Sequence, residues 1–167
     1  MNTGRGCYTF VMHAEDGRVV VYTDGACRGN PGPGGWAWAV AVPGGRYASG
    51  AEARTTNQRM EITAVLEALR ALSADGPASI DVVSDSTYVV KCFTDRWWEG
   101  WQRRNWTNSQ RKPVANRDLW EPLLALALSP SVEVTFRWVK GHSGDHWNDV
   151  VDELATRAAD TGAGATG

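Results

Sequence analysis

The stretch Arg18–Gly35, RVVVYTDGACRGNPGPGG, leaves a chain of this kind few ways to fold. Val19, Val20, Val21 and Tyr22 run without polar alternation, the pattern of a strand covered on both faces and therefore central in its sheet. The run then meets Asp24 and a glycine-rich segment. The spacing predicts that Asp24 closes the strand and that the glycines form a loop. A carboxylate at such a point is costly if it stays charged and unpaired, so it needs a cation, a dense set of donors or a raised pKa. An aspartate that only caps the turn at Gly25 satisfies the same pattern.

The remaining chain reads as strands broken by helices. Trp36, Trp38, Val40 and Val42 alternate onto one face, and Pro43–Gly45 turns the chain into Arg46–Glu52, which predicts an antiparallel meander. Thr55 followed by Gln58 resembles a capping box; Met60, Ile62, Val65, Leu66, Leu69 and Leu72 then keep helical spacing up to Gly76-Pro77. Ile80, Val82 and Val83 form a second apolar strand ending at Asp85, and Ser86 is placed to cap a helix through Phe93. Leu119–Leu128 looks helical despite Pro122, which removes a backbone hydrogen bond or kinks the helix. Val132–Val139 alternates as a last strand, a polar loop follows over Lys140–Trp147, and Asn148–Ala159 is a final helix. The expected class is α/β, a mixed sheet flanked by helices.

Length and charge exclude several classes. With 167 residues, 43 % hydrophobic and 22 % charged, the chain suits one domain with an ordinary core. The expected division is a flexible leader over 1–17 with an arm or edge strand at Tyr8–Met12, a domain over 18–160, and a flexible tail over 161–167. A formal net charge of −2 rules out a uniformly basic protein but not a local basic surface. Cys7, Cys27 and Cys92 are odd in number and lack ligand spacing, so neither a disulfide framework nor a zinc site is indicated. No apolar stretch is long enough to span a bilayer. A monomer in the reducing cytoplasm, with no membrane partner, is expected.

The chemistry falls where polar residues interrupt apolar patterns. Asp24 and Asp85 each end an apolar strand, where ligands of open α/β sheets gather. Glu61 lies in the first turn of the long helix, and Asp152 follows Asn148 by one helical turn. Four carboxylates meeting there would repel strongly, and hard divalent cations, Mg²⁺ above all, relieve such a set. Glu67, Asp75, Asp81 and Asp95 read as solvated surface, and the four-acid set could be surface as well. The segment GACRGNPGPGG matches neither nucleotide-cradle pattern and reads as tight backbone beside a polymer phosphate. Arg96–Arg117 carries six cations against one acid, Glu99, and four of the nine tryptophans. Trp97, Trp98, Trp101 and Trp106 are either core residues or, interleaved with cations, the lining of a nucleic-acid groove.

These residues resemble a known family. Tyr22-Thr23-Asp24-Gly25 with GNPGPGG, Thr55–Glu61 (TTNQRME), Ser84-Asp85-Ser86, Lys112-Pro113-Val114 with Asn116 and Asp118-Leu119-Trp120, Trp138–Gly144 (WVKGHSG), and Asn148 with Asp152-Glu153-Leu154-Ala155 look like type 1 ribonuclease H of the bacterial kind, from about Val19 to Ala159. The resemblance implies a five-stranded mixed sheet flanked by helices. It also implies two-metal hydrolysis of the RNA strand of an RNA/DNA hybrid, with two Mg²⁺ per site, Mn²⁺ able to substitute, and 5′-phosphate and 3′-hydroxyl ends.

Carried over by position, Asp24 would bridge both ions, Asp85 and Asp152 would hold the one that activates water, and Glu61 would hold the other near a ribose 2′-hydroxyl. His142 matches a proton-handling, product-release histidine. Asn30, Asn57, Gln58 and Thr87 match contacts to the RNA side, Gly25 and Asn148 further substrate contacts, and Arg54, Thr56 and Asn116 a pocket for a DNA phosphate. Trp97, Trp101, Trp106 and Trp120, with Arg103 and Arg104, fit a basic protrusion and DNA channel. Gln58 and Thr87 stand where asparagine and glutamine are expected, Ala115 replaces a lysine, and Glu99 and Gln102 dilute the protrusion's charge. A catalytically silent hybrid-binding module and a related metal-dependent nuclease or strand-transfer domain are the rival readings. Intact acids speak against the first, and the tryptophan-rich segment with the KGHSG loop against the second.

Overall fold

The computed structural model describes residues 17–167; the arm expected at Tyr8–Met12 lies outside them. Five strands, β1 (Arg18–Cys27), β2 (Gly32–Val40), β3 (Tyr47–Thr55), β4 (Ser79–Ser84) and β5 (Glu133–Trp138), form one sheet in the order β3-β2-β1-β4-β5. β2 is antiparallel to both β1 and β3, whereas β1, β4 and β5 run parallel. The helices are α1 (Asn57–Ser73), α2 (Thr87–Thr94), α3 (Trp97–Arg103), α4 (Arg117–Ala127) and α5 (His146–Thr161). This is the expected mixed five-stranded α/β sheet.

The apolar run of β1 is buried on both faces because helices cover both. Val19 and Val21 pack with Ile62, Val65 and Leu69 of α1 and with Trp120 of α4. Tyr22 faces the other way, with Val151 and Ala155 of α5. β1 does not stop at Asp24. Its parallel pairing with β4 ends at Thr23 and Ser84, but its antiparallel pairing with β2 continues through Asp24, Gly25, Ala26 and Cys27. Asp24 thus sits where the central strand loses one neighbour and keeps the other.

The glycine-rich segment is a loop only over Arg28–Pro31, since β1 runs to Cys27 and β2 begins at Gly32. Two glycines admit close approach. A Cβ on Gly25 would strike the Glu61 nitrogen and the Met60 carbonyl carbon (2.6 Å), and one on Gly35 would meet the Ala159 nitrogen of α5 at 2.7 Å. They let α1 and α5 press onto the sheet from opposite faces.

Three local expectations change. The α1 cap is Thr56 rather than Thr55: its hydroxyl accepts the Arg59 N–H at 3.2 Å, while Thr55 still belongs to β3. α4 continues through Pro122, which lies in its second turn and costs a single bond, to the Asp118 carbonyl. The segment 161–167 is not a free tail. Tyr47 and Gly167 exchange backbone hydrogen bonds at 3.0 Å each, and the Ser49 N–H donates to the Ala165 carbonyl at 2.7 Å, so it covers the open edge of β3. Among the described residues, no helix is long and apolar enough to cross a membrane.

Gly25→Ala pushes a methyl group into the backbone of α1, and overpacking of this kind costs about 1–3 kcal/mol. A urea melt with a lower midpoint and unchanged slope is expected; an unchanged midpoint would show that α1 does not depend on this approach.

Candidate active site

Strand ends and helix starts deliver the four acids to one place. Asp24 is set by the β1–β2 pairing, and Asp85 follows β4 directly, one register step beyond the Thr23–Ser84 pair. Glu61 stands in the first turns of α1, docked against Gly25, and Asp152 lies in the second turn of α5. Asp24 is 5 % exposed, and its Oδ1 accepts the Gly25 N–H at 2.8 Å. Burial, then the Asp85 charge, pushes its pKa up to about 9 against that one donor, with Asp152 and Glu61 adding to the rise. All four acids therefore act on one electrostatic centre.

Glu61 is held hard. Asn57 Nδ2 donates to its Oε1 at 2.8 Å and Ser86 Oγ to its Oε2 at 2.7 Å. Burial raises its pKa, the Ser86 bond opposes this, Asp85 adds to the rise, and Asn57 opposes it again. Ser86 also caps α2 by accepting the Val89 N–H at 3.2 Å, so the hydroxyl that orients Glu61 begins the helix following Asp85. Asp85 is fixed through its backbone, whose carbonyl accepts Trp138 Nε1–H at 3.0 Å.

Among the described residues, no group of three or more His, Cys, Asp or Glu side chains is arranged so as to hold a metal ion. The donors of the acid cluster are nonetheless all oxygen and centred on a buried carboxylate that one hydrogen bond supports. Such a set fits a hard divalent cation better than it fits zinc.

The loop after β5 passes over this centre. A Cβ on Gly141 would lie 2.7 Å from Asp85 Oδ2, so the loop backbone touches the carboxylate, and the adjacent His142 is exposed with a left-handed φ of 56°. Ser143 Oγ donates to the Lys140 carbonyl at 2.6 Å. The loop ends at Asp145, which caps α5 by accepting the Trp147 and Asn148 N–H groups at 3.1 and 3.2 Å.

Of the expected substrate contacts, Asn30, Arg54, Asn57, Gln58 and Thr87 are exposed. Thr56 and Asn116 are joined by a residue the sequence did not single out, Arg59. Its N–H bonds Thr56, its Nη1 donates to Asn116 Oδ1 at 3.3 Å, and its guanidinium makes a two-pronged pair with Asp118 at 3.0 and 2.8 Å. The position of Arg59 within TTNQRME is the signal that could have found it.

The aromatic segment needs correction. Trp120 has no exposed surface and Trp101 is 8 % exposed, so both are core and neither lines a channel. Trp120 donates Nε1–H to Tyr88 Oη at 3.2 Å and stacks at an angle on Trp101, which packs in turn on Trp106. Trp97 reaches the surface, and Arg117 covers the Trp106 ring at 5.1 Å. Arg104 folds back over Gly100 and bonds the Thr107 carbonyl, whereas Arg103 is exposed. Asn148 is 2 % exposed with Nδ2 unpartnered, so it too is buried rather than presented to a substrate.

A mixed sheet with parallel β1, β4 and β5, a helix on each face and an acid cluster at the carboxyl ends of β1 and β4 defines the class of this molecule. The RNase H family model matches residues 16–160, and the chain belongs to that family. It is 50 % identical over 141 residues to a ribonuclease H of Syntrophomonas wolfei, covering 84 % of this chain and 94 % of that protein. It is also 50 % identical over 147 residues to a ribonuclease H of Thermus thermophilus, covering 87 % and 86 %. The crystal structure of LC9-RNase H1, a type 1 RNase H with the type 2 active-site motif, superposes with a TM-score of 0.75 at 32 % identity, covering 90 % of this chain and 77 % of that one.

The raised pKa of Asp24 sets a sign for stability. Between about pH 4 and pH 9 the folded chain holds a proton that the unfolded chain releases, so this group's contribution to stability falls as pH rises. In EDTA, Asp24→Asn should therefore raise Tm at pH 7.5, with the gain disappearing below about pH 4. A gain that is equal at both pH values would show that charge is not its source.

Proposed function

We propose that this chain is an endonuclease that hydrolyses the RNA strand of RNA/DNA hybrids, with two Mg²⁺ ions, or Mn²⁺ in their place, held by Asp24, Glu61, Asp85 and Asp152. The observation that carries the reading is the convergence of four acids around a buried aspartate that the protein's own donors leave largely uncompensated. When bound, such ions neutralise that charge and polarise water and phosphate for an in-line displacement. Water oxygen adds to phosphorus, the bond to the 3′-oxygen breaks, and the 3′-oxygen takes up a proton. The products carry 5′-phosphate and 3′-hydroxyl ends.

The chain's own residues supply the geometry. Asn57 and Ser86 hold Glu61 in one rotamer, and Trp138 fixes the backbone of Asp85. His142, exposed beside Asp85, accepts and returns protons and leaves with product. Asn30, Gln58 and Thr87 contact the RNA strand, and Arg54, Thr56 and Asn116 a phosphate of the DNA strand, with Arg59 keeping Thr56 and Asn116 together. Arg103 and Trp97 extend the contact along the duplex. The protein acts as a monomer in the cytoplasm.

Purified protein incubated with labelled hybrid, duplex RNA and duplex DNA, with and without Mg²⁺, tests the whole reading. Cleavage of the hybrid alone, and only with metal, is expected; cleavage of duplex DNA or none of the three overturns it. Asp85→Asn should abolish cleavage while the hybrid still binds. His142→Ala should slow turnover by about ten- to a hundredfold, the low end of general acid–base contributions. A loss in His142→Ala as severe as in Asp85→Asn would put the histidine among the metal ligands. Arg103→Ala should raise KM more than it lowers kcat and flatten the slope of log affinity against log salt by about 0.7–0.9, one phosphate contact; an unchanged slope would show that α3 points away from substrate.

A further inference from the structure

β1 carries a polar atom that neither its core role nor the acid cluster uses. Tyr22 is 7 % exposed, packed against α5, and two residues before Asp24 on the same face of the strand. Its hydroxyl donates to Asp145 Oδ2 at 3.0 Å. The other oxygen of that carboxylate caps α5 through the Trp147 and Asn148 N–H groups. Arg137, near the end of β5, acts on the same hydroxyl electrostatically and opposes the effect of Asp145. Burial, then the Asp145 bond, raises the Tyr22 pKa, so the group stays a protonated donor at neutral pH.

Arg137 precedes the His142 loop and Asp145 ends it. One hydroxyl, carried on the central strand, thus bonds the foot of the segment that passes over Asp85, with Arg137 acting on it electrostatically from the residues before the loop. The interior of the loop has far less holding it: within Lys140–Gly144 one side-chain hydrogen bond is made, Ser143 to the Lys140 carbonyl, and two residues, His142 and Gly144, have positive φ. A phenylalanine would fill the Tyr22 site equally well, so the hydroxyl is not needed for packing. A hydroxyl on a central strand that donates to the carboxylate capping the helix after the loop is a geometric tether.

We propose that Tyr22 is a positioning residue that ties the Asp145 end of the His142 loop to the central strand, setting how closely His142 is held over the acid cluster. The inference rests on the proposed role of His142. Tyr22 touches no reacting atom and acts only through the loop. Its contribution is therefore to keep the histidine within reach during the proton transfers, not to bind substrate.

Tyr22→Phe removes the hydroxyl and preserves the ring. Measured on an RNA/DNA hybrid, it should lower kcat by up to about tenfold, part of the about hundredfold that a positioned acid–base group supplies at the low end, with KM unchanged. In the His142→Ala background the same substitution should have no further effect on kcat, because the group it positions is gone. Amide hydrogen exchange across residues 139–145 should quicken in Tyr22→Phe while β1 and β4 keep wild-type protection. An undiminished Tyr22→Phe effect in the His142→Ala background overturns the proposal, as does unchanged exchange in the loop. Failure of the wild-type protein to cleave hybrid would instead overturn the functional reading, and the exchange measurement would still decide whether the tether exists.

Discussion

The structure depends on placing a carboxylate where a central strand loses its parallel neighbour. From Val21 to Thr23, β1 is paired on both sides; from Asp24 onward it is paired only with β2. The opened side gives room for Asp85 and for the first turns of α1, and Gly25 is the residue that lets the helix backbone come so near. The cluster then forces its own electrostatics: burial and three acidic neighbours hold the Asp24 pKa near 9. A fold that concentrates like charge in this way gives up stability at the site, and a cation that binds only the folded form returns it by mass action.

The aromatic region obeys the opposite logic. Trp120 and Trp101, which the resemblance places in a DNA channel, instead pack on each other in the core and seat α3 against α4. Arg117 over Trp106 and Arg96 over Trp98 hold cations against rings, which spreads charge across this face without requiring buried ion pairs. The basic character of the segment lies outside, on Arg103 and its exposed neighbours, while its tryptophans divide between core and surface.

What the sequence disclosed follows the range of the interactions concerned. The apolar run Val19–Tyr22 and the spacing from Met60 to Leu72 are local, so the central strand and α1 were legible, as was the Ser86 cap. The continuation of β1 past Asp24 depends on β2, and the strand character of Gly32–Gly35 depends on two neighbours, so neither shows in local pattern. The same holds for residues 161–167, which look unstructured alone and become ordered by the open edge of β3. At the site, the four acids could be named from strand ends and helix starts. Burial of Asn148 and Trp120 could not, because both sit among polar or charged residues in sequence and face inward only in three dimensions.

Tyr22 shows the same limit from the other side. In sequence it is one more apolar residue of a buried strand, and its ring does serve the core. Its hydroxyl acquires meaning only once α5 brings Asp145, at the end of the His142 loop, to it. Asp24, Glu61 and Asp152 stand on β1, α1 and α5, and Asp85 in the short turn after β4 whose carbonyl Trp138 holds, which suits groups that must not move. The histidine stands on a loop with two left-handed residues, which suits a group that must. A tether at the foot of that loop reconciles the two requirements, since it limits where the loop can go while leaving its crest free to swing.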